Sequence, residues 1–159
     1  MESRGWEVVA ADRSPHGVFL ARSTNPSFSG TFVIADGCYL PFASGTFDAV
    51  LAWHVIGHVL SHEREQMARE IERVIRPQGL LSFRGFSCRD MRFGKGTEVG
   101  TGTFRRGNGI ISHYFSREEV IRLFPGFSPE RVSEESWTIR IRGKEYLRAE
   151  LSGTFIRNG

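Results

Sequence analysis

Three short apolar runs constrain the fold of this 159-residue chain more than any other feature. They are residues 7–11 (EVVAA), 31–35 (TFVIA) and 47–54 (FDAVLAWH), and each is nearly continuous rather than alternating. Continuous apolar strands are typical of a parallel sheet that is buried on both faces. Helices or loops between the runs would form the crossover connections of such a sheet. We therefore predict an α/β fold with a mostly parallel sheet.

Helix signals stand between and after these runs. Ser14 and Pro15 form a helix start, with serine as the N-cap and proline at the first helical position. Residues 61–76 carry apolar side chains at helical spacing, and Ser116 with Glu119 forms a capping box ahead of a short helix that reaches residue 124. The helices are expected to cover the two faces of the sheet.

The second half of the chain changes character twice. Residues 80–83 (LLSF) predict a fourth strand, and residues 84–108 are rich in glycine and arginine, which favours a mobile loop near a substrate. Residues 137–151 alternate apolar and polar side chains on both sides of a glycine turn. That alternation predicts an antiparallel hairpin at the C-terminal end.

Composition sets broader limits. With 40% hydrophobic residues, 159 residues suit one folded domain, 1–159. Cys38 and Cys88 show no metal-binding or disulfide spacing, so reduced thiols in the cytoplasm are expected. No apolar run has the length of a membrane span, and we expect no membrane partner.

Two acidic residues follow the first two apolar runs. Asp12 comes directly after residues 7–11, and Asp36 directly after residues 31–35. Open α/β sheets bind ligands at the carboxyl ends of their strands, where one carboxylate can take ribose hydroxyls and another an exocyclic amine. The alternatives are structural, because Asp12 can stabilise a helix start and Asp36 can cap a turn.

The stretch around Asp36 also matches a motif. Residues 36–48 contain Asp36-Gly37, then Leu40-Pro41-Phe42, then Phe47-Asp48, which gives the pattern DGxxLPFxxxxFD. This pattern resembles that of the class I S-adenosylmethionine-dependent methyltransferases that act on small molecules. The resemblance covers nearly the whole chain, and it implies a Rossmann-like fold, S-adenosylmethionine as cofactor and a small-molecule substrate.

The resemblance also assigns roles to individual residues. It implies that Asp12 holds the ribose, that Asp36 accepts from the adenine amine, and that the rest of the cofactor site is formed by Arg13, Gly37, Cys38, Trp53 and His54. Three side chains could accept a proton from the methyl acceptor, namely His54, His58 and Tyr114. Packing is the alternative role for Tyr114.

One part of the family pattern is missing. The family's first strand and its GxGxG loop have no counterpart, because residues 1–4 look like the end of the helix that should follow that loop. In the family this strand lies between the strands that correspond to residues 7–11 and 47–53. Three arrangements remain open: the flanking strands pair directly, a second copy or a partner chain completes the sheet, or the chain is a shortened version of a longer protein.

Other functions stay open alongside the enzyme. The missing loop favours a non-catalytic methyltransferase-like domain that serves as an interaction module or partner subunit. The basic residues 84–108 suggest RNA modification more weakly, and we do not expect nucleic acid as a partner. His54, His58 and His62 have helical spacing that could ligate a metal, but the predicted strand end at His54 breaks the alignment, so no metal is expected.

Overall fold

The computed structural model describes residues 5–159, so the helix end predicted for residues 1–4 lies outside the described residues. The elements, in chain order, are β1 Val9–Asp12, α1 Pro15–Thr24, β2 Thr31–Ile34, β3 Phe47–Trp53, α2 Ser61–Val74, β4 Ile75–Phe86, β5 Thr97–Gly100, β6 Thr103–Arg105, β7 Ile111–His113, α3 Arg117–Leu123, β8 Phe127–Ile141 and β9 Lys144–Arg157. The chain divides into two compact units, Met1–Pro41 and Phe42–Gly159. None of the helices in the described part is long and apolar enough to cross a membrane.

The first unit is a single βαβ unit. Strands β1 and β2 pair in parallel, with Val9 opposite Thr31 and Asp12 opposite Ile34. Helix α1 connects them, and its start is the predicted one, because the Ser14 hydroxyl accepts the Gly17 N–H at 3.1 Å. The first two apolar runs therefore formed parallel strands, as predicted. Their expected burial on both faces is wrong, because no residue of β1 or β2 is buried.

A four-stranded sheet in the order β3-β4-β9-β8 forms the second unit's centre. Strands β3 and β4 are parallel, whereas β9 runs antiparallel to both β4 and β8. The α/β class with parallel pairing and an antiparallel C-terminal hairpin is confirmed. Direct pairing of the strands at residues 7–11 and 47–53 is wrong, because β1 and β3 belong to different sheets.

The core of this unit lies on one face of the sheet. Leu81 and Phe83 on β4 and Phe155 on β9 are fully buried, and Phe83 packs edge to face against Phe124 at the end of α3. Helix α2 contributes an apolar stripe to the same core, with Met67, Ala68, Ile71 and Val74 all buried. The helix ends at Val74, two residues earlier than predicted, and β4 begins at the next residue.

The prediction of one mobile loop over residues 84–108 is wrong. Strand β4 continues to Phe86, and β5, β6 and β7 form a separate three-stranded antiparallel sheet. Its short strands show no clear period in the sequence, and an aromatic cluster of Phe93, Phe104 and Tyr114 holds them, with ring centroids 5.3–6.1 Å apart. Burial of Phe104 and Tyr114 in that cluster supplies stabilisation that the local sequence did not indicate.

The C-terminal hairpin is confirmed and is longer than predicted. Strands β8 and β9 pair along almost their full length, from Phe127 opposite Arg157 to Ile141 opposite Lys144. The turn residues Arg142 and Gly143 both have left-handed backbones, with φ of 49° and 79°. Two positive φ values in a two-residue loop are typical of the turn that matches the twist of the flanking strands.

Candidate functional site

Asp12 occupies the last position of β1 in the first unit, and its side chain is exposed. One carboxylate oxygen accepts the Ser14 N–H at 2.8 Å, which fixes the carboxylate at the start of α1. Gly17 makes room for it, since a side chain there would begin 3.3 Å from the second carboxylate oxygen. A carboxylate oxygen can accept more than one hydrogen bond, so the exposed Asp12 side chain has capacity for a hydroxyl-bearing ligand.

Asp36 lies two residues beyond the end of β2 in the same unit. Its Oδ1 accepts the Cys38 N–H at 2.9 Å, and its Oδ2 is 4.0 Å from a guanidinium nitrogen of Arg13. The Asp36 side chain is 41% exposed and the Arg13 side chain 73%, so this ion pair contributes little stability. The Asp36–Cys38 bond forms a tight turn through Gly37, and the Cys38 side chain is buried.

The first unit therefore brings together five of the sequence-predicted residues: Asp12, Arg13, Asp36, Gly37 and Cys38. Two carboxylates at the ends of adjacent parallel strands form an acceptor-rich surface, which suits the hydroxyl and amine donors of a nucleoside. The structural roles weighed for these acids are also present, because each carboxylate holds a backbone N–H two residues ahead. One oxygen of each carboxylate makes that bond, so the two roles are compatible.

Trp53 is the last residue of β3 in the second unit, and two side chains hold its ring in place. The indole Nε1–H donates to the Ser82 hydroxyl at 2.9 Å, and the Arg84 guanidinium lies 4.5 Å from the ring centroid. The residue remains 41% exposed. This arrangement presents a rigid aromatic surface at the end of a parallel strand.

His54 follows directly and has three unusual features. Its backbone is left-handed, with φ of 54°, which is uncommon for a residue other than glycine. Its Nε2 lies 3.0 Å from a carboxylate oxygen of Glu150, and its ring stacks 4.5 Å from that of Phe86. Its Nδ1 is buried and has no hydrogen-bond partner in the described part of the chain.

These contacts define the tautomer of His54. A carboxylate only accepts, so Nε2 carries the hydrogen and donates it to Glu150. In the neutral ring Nδ1 then holds a lone pair, and a buried unpaired acceptor costs less than a buried unpaired charge. The His–Glu pair thus leaves a nitrogen that can accept a proton.

Glu150 is the functional candidate that sequence reasoning missed. It lies on β9, 96 positions after His54. The alternation of apolar and polar side chains in residues 137–151 predicted only that this position is polar. Its side chain is 14% exposed, and its second oxygen is 4.0 Å from Arg84. No local sequence signal indicates this pairing. It arises because β4 pairs with both β3 and β9, so that a β9 side chain lies one strand away from the end of β3.

The other two predicted proton acceptors are differently placed. His58 is exposed in a 3-10 turn, Ile56–His58, and its Nδ1 lies 2.8 Å from the Ile111 carbonyl, so that nitrogen donates. Tyr114 is 2% exposed, and its hydroxyl accepts a hydrogen bond from Arg106 at 3.2 Å. Packing is therefore the role that the geometry of Tyr114 favours.

The buried His113 side chain organises part of the second unit. His113 is bound between the Thr103 hydroxyl at 2.8 Å and a Glu119 oxygen at 2.7 Å. Burial alone would raise the pKa of Glu119, but hydrogen bonding and charge attraction from His113, with Arg64 nearby, lower it. The Glu119 side chain thus bonds His113 rather than closing the predicted capping box, while the Ser116 hydroxyl still accepts the Glu119 N–H at 3.2 Å.

The metal site considered for His54, His58 and His62 has no support among residues 5–159. No group of three or more His, Cys, Asp or Glu side chains in that range is arranged to hold a metal ion. Cys38 is buried, Cys88 is exposed, and the two do not form a disulfide.

Comparison with known proteins places this geometry in a family. The sequence profile described as "Methyltransferase domain" matches residues 1–83, which is more than half of the chain. Among solved structures, a SAM-dependent methyltransferase from Methanosarcina mazei superposes with a TM-score of 0.80, at 19% sequence identity, covering 98% of this chain and 84% of that one. The likeness at this identity shows a common fold.

Two curated relatives match shorter regions. An uncharacterized methyltransferase of Mycolicibacterium gilvum is 37% identical over 76 residues, which is 48% of this chain and 29% of the relative. The human tRNA N(3)-cytidine methyltransferase METTL2B is 26% identical over 95 residues, which is 58% of this chain and 25% of the relative. The chain thus spans only about a quarter of the length of these relatives. The profile match decides the assignment: this chain belongs to the methyltransferase domain family.

Proposed function

We propose that this chain is an S-adenosylmethionine-dependent methyltransferase domain that acts on a small-molecule acceptor. The observation that carries the proposal is the pair of carboxylates at the ends of β1 and β2, inside the region that the family profile matches. The structural neighbour from Methanosarcina mazei, described as SAM-dependent, supports the same cofactor. S-adenosylmethionine supplies a methyl group on a sulfonium when it is bound.

In the proposed cofactor site, Asp12 accepts hydrogen bonds from the ribose hydroxyls and Asp36 accepts one from the adenine amine. Arg13 lies 4.0 Å from the Asp36 carboxylate at the edge of this site, and the tight turn at Gly37 and Cys38 lets the backbone lie close to the adenine. These roles agree with the exposure of both acids and with the oxygen that each leaves beyond its turn.

The proposed acceptor site uses the side chains at the end of β3. Trp53 limits the acceptor site with its fixed ring. His54 is the proposed proton acceptor for a substrate that must be deprotonated to become a nucleophile. Because its Nδ1 is buried, this role requires a movement that exposes that nitrogen. Glu150 positions His54 through the Nε2–H bond. Alignment of the reacting groups and exclusion of water supply most of the rate enhancement in such a transfer. His58 and Tyr114 remain weaker candidates, since one donates to a carbonyl and the other is buried.

RNA as the methyl acceptor receives less support. A relative named as a tRNA methyltransferase matches part of the chain. However, the arginines of residues 84–92 bond with neighbours: Arg84 stacks on Trp53, Arg89 bonds Glu134 at 2.7 Å, and Arg92 bonds Asp90 at 2.7 Å. Phosphate binding requires cationic side chains that are not already paired with carboxylates, so we favour a small molecule as the methyl acceptor.

Cys38 and Cys88 do not form a disulfide, which supports the proposal of a cytoplasmic location.

The experiment is a calorimetric titration of the chain with S-adenosylhomocysteine. Asp36→Asn and Asp12→Asn should each weaken binding by about tenfold or more, because each removes a charge-assisted hydrogen bond. Asp48→Asn is the matched control, since Asp48 is exposed and pairs at the surface with Arg76, at 2.6 Å. Equal affinities for all four proteins would refute the assignment of the acids. Absence of binding at millimolar ligand would favour the non-catalytic alternative.

A further inference from the structure

Strand β8 forms an outer edge of the four-stranded sheet. It is 15 residues long, and in the described part of the chain it pairs with β9 alone. Strand β4 pairs with β9 only from Glu150 to Ile156, so the remaining part of the hairpin is a two-stranded ribbon. Three large apolar side chains of this ribbon, Trp137, Ile141 and Leu147, are 39–42% exposed.

Such an edge is unusual, because long exposed edges are templates for pairing with another chain. Proteins usually interrupt them with proline, a bulge or lysine. In β8 the proline at 129 and the register shift between Pro129 and Arg131 lie at the beginning of the strand. Residues 132–141 contain neither proline nor lysine, and their pairing with β9 is regular. The edge is therefore open where the apolar side chains are exposed.

The charges along β8 indicate what this edge can pair with. Its first half is acidic on balance, with Glu130, Glu134 and Glu135 against Arg131, whereas Arg140 and Arg142 lie in and just after its second half. A second copy in parallel and in register would place like charges opposite one another, which is destabilising. An antiparallel copy would place the acidic half opposite the basic half. The pattern is self-complementary in the antiparallel direction only.

We propose that two copies of this chain associate through β8, paired antiparallel about a two-fold axis near Trp137. Because side chains alternate between faces, residues that face one another must lie on the same face, so the axis passes through a residue. An axis at Trp137 places Glu134 opposite the partner's Arg140, and Arg140 opposite the partner's Glu134. The two copies of Trp137 then face each other with Ile139 beside them.

Arg140 and Glu134, which this register places opposite one another, can both bond with a second copy. Arg140 pairs with Glu145 at 3.3 Å, and both are exposed by more than 60%, so that pair is easily exchanged. Glu134 bonds Ser87 and Arg89, and a carboxylate has capacity for a second guanidinium. The resulting dimer would have one continuous eight-stranded sheet.

The opposite edge of the sheet lacks these features. Strand β3 has seven residues, and Asp48 is its only charge, so it has no complementary halves. By the family resemblance, a second copy or partner chain that completes the sheet would lie beside β3, where the missing strand belongs. The charge pattern instead assigns the second copy to β8, and this assignment does not depend on the proposed catalytic function.

Sedimentation velocity over a range of concentrations tests the proposal. The wild-type chain should show a concentration-dependent dimer, and Arg140→Glu should raise the dimer dissociation constant by about tenfold or more, since it makes both symmetric charge pairs repulsive. Arg105→Glu, an exposed change of the same charge on β6, should leave the dissociation constant unchanged. A wild-type monomer at all concentrations, or equal dimerisation of the two variants, would overturn the proposal.

Disulfide trapping tests the register separately. In a Cys88→Ser background, Trp137→Cys should form an intermolecular disulfide under mild oxidation, because facing residues across an antiparallel pair lie about 4.5–5.5 Å apart at their β-carbons. Leu147→Cys is equally exposed on β9 but lies away from the edge, so it should stay monomeric. Cross-linking at position 147 and none at position 137 would contradict the β8 pairing even if a dimer forms.

Discussion

Asp90→Asn removes the charge from the most heavily bonded carboxylate in the second unit. Asp90 is buried, and its two oxygens accept five hydrogen bonds: three from Arg92, one from Arg148 and one from the Ala149 N–H. Arg92 also lies 3.9 Å from the centroid of the Phe86 ring, which in turn contacts His54. The carboxylate therefore supports the packing beside the proposed acceptor site.

The pKa of Asp90 gives the size of the effect. Burial alone would raise this pKa, but the hydrogen bonds from Arg92, Arg148 and Ala149 outweigh it and lower the pKa from 3.8 to about 2. A carboxyl whose pKa is lower in the folded state stabilises the fold above its unfolded pKa. That stabilisation is lost as pH falls from about 4 to about 2. A shift of nearly two units corresponds to about 2 kcal/mol.

Urea unfolding between pH 7 and pH 2 measures this contribution. At pH 7 Asp90→Asn should lower the free energy of unfolding by about 3 kcal/mol, because two half-buried guanidinium groups lose their buried counter-charge. Between pH 5 and pH 2 the wild type should lose about 2 kcal/mol more than the variant. Asp48→Asn, at an exposed ion pair, should change stability by less than about 1 kcal/mol. Parallel pH profiles for wild type and Asp90→Asn would refute the reasoning.

Two further predictions follow from the same unit. Glu150→Ala removes the acceptor and should abolish the preference of His54 for the Nε2–H tautomer, seen in two-bond proton–nitrogen NMR spectra of the labelled ring, while Glu145→Ala on the same strand should not; an unchanged tautomer would refute the His–Glu pair. Gly79→Ala should lower the free energy of unfolding by about 2 kcal/mol, because the added methyl group would lie 2.5–2.9 Å from three neighbouring atoms. Gly107→Ala, with no atom within 4 Å, should cost less than about 1 kcal/mol in the same thermal or urea assay, and equal losses would contradict this packing argument.

Local patterns in the sequence predicted much of the fold, for physical reasons visible at particular residues. The continuous apolar runs became β1, β2 and β3, the Ser14 and Ser116 caps start α1 and α3, and the alternation of residues 137–151 became part of the terminal hairpin. Each of these signals acts within a few residues, so the sequence displays it directly.

What the sequence did not predict depends on contacts between distant residues. The sheet of β5, β6 and β7 has strands of three or four residues, too short to show a period, and its stability comes from a cluster that joins Phe93 to Tyr114. Glu150 reaches His54 because only β4 separates β3 from β9 in the sheet, although five strands, β4 to β8, lie between the two residues in sequence. The acids at the strand ends were predicted because sheet topology alone places them there.

The central claim is that Asp12 and Asp36 bind the cofactor, and amide NMR tests it most directly. The N–H groups of Ser14 and Cys38 donate to these two carboxylates, so their resonances report any change at the acids. Titration with S-adenosylhomocysteine should shift both resonances along one saturation curve, and Asp36→Asn should weaken that curve. Saturable shifts elsewhere with both amides unmoved, or no saturable shift at millimolar ligand, would contradict the claim.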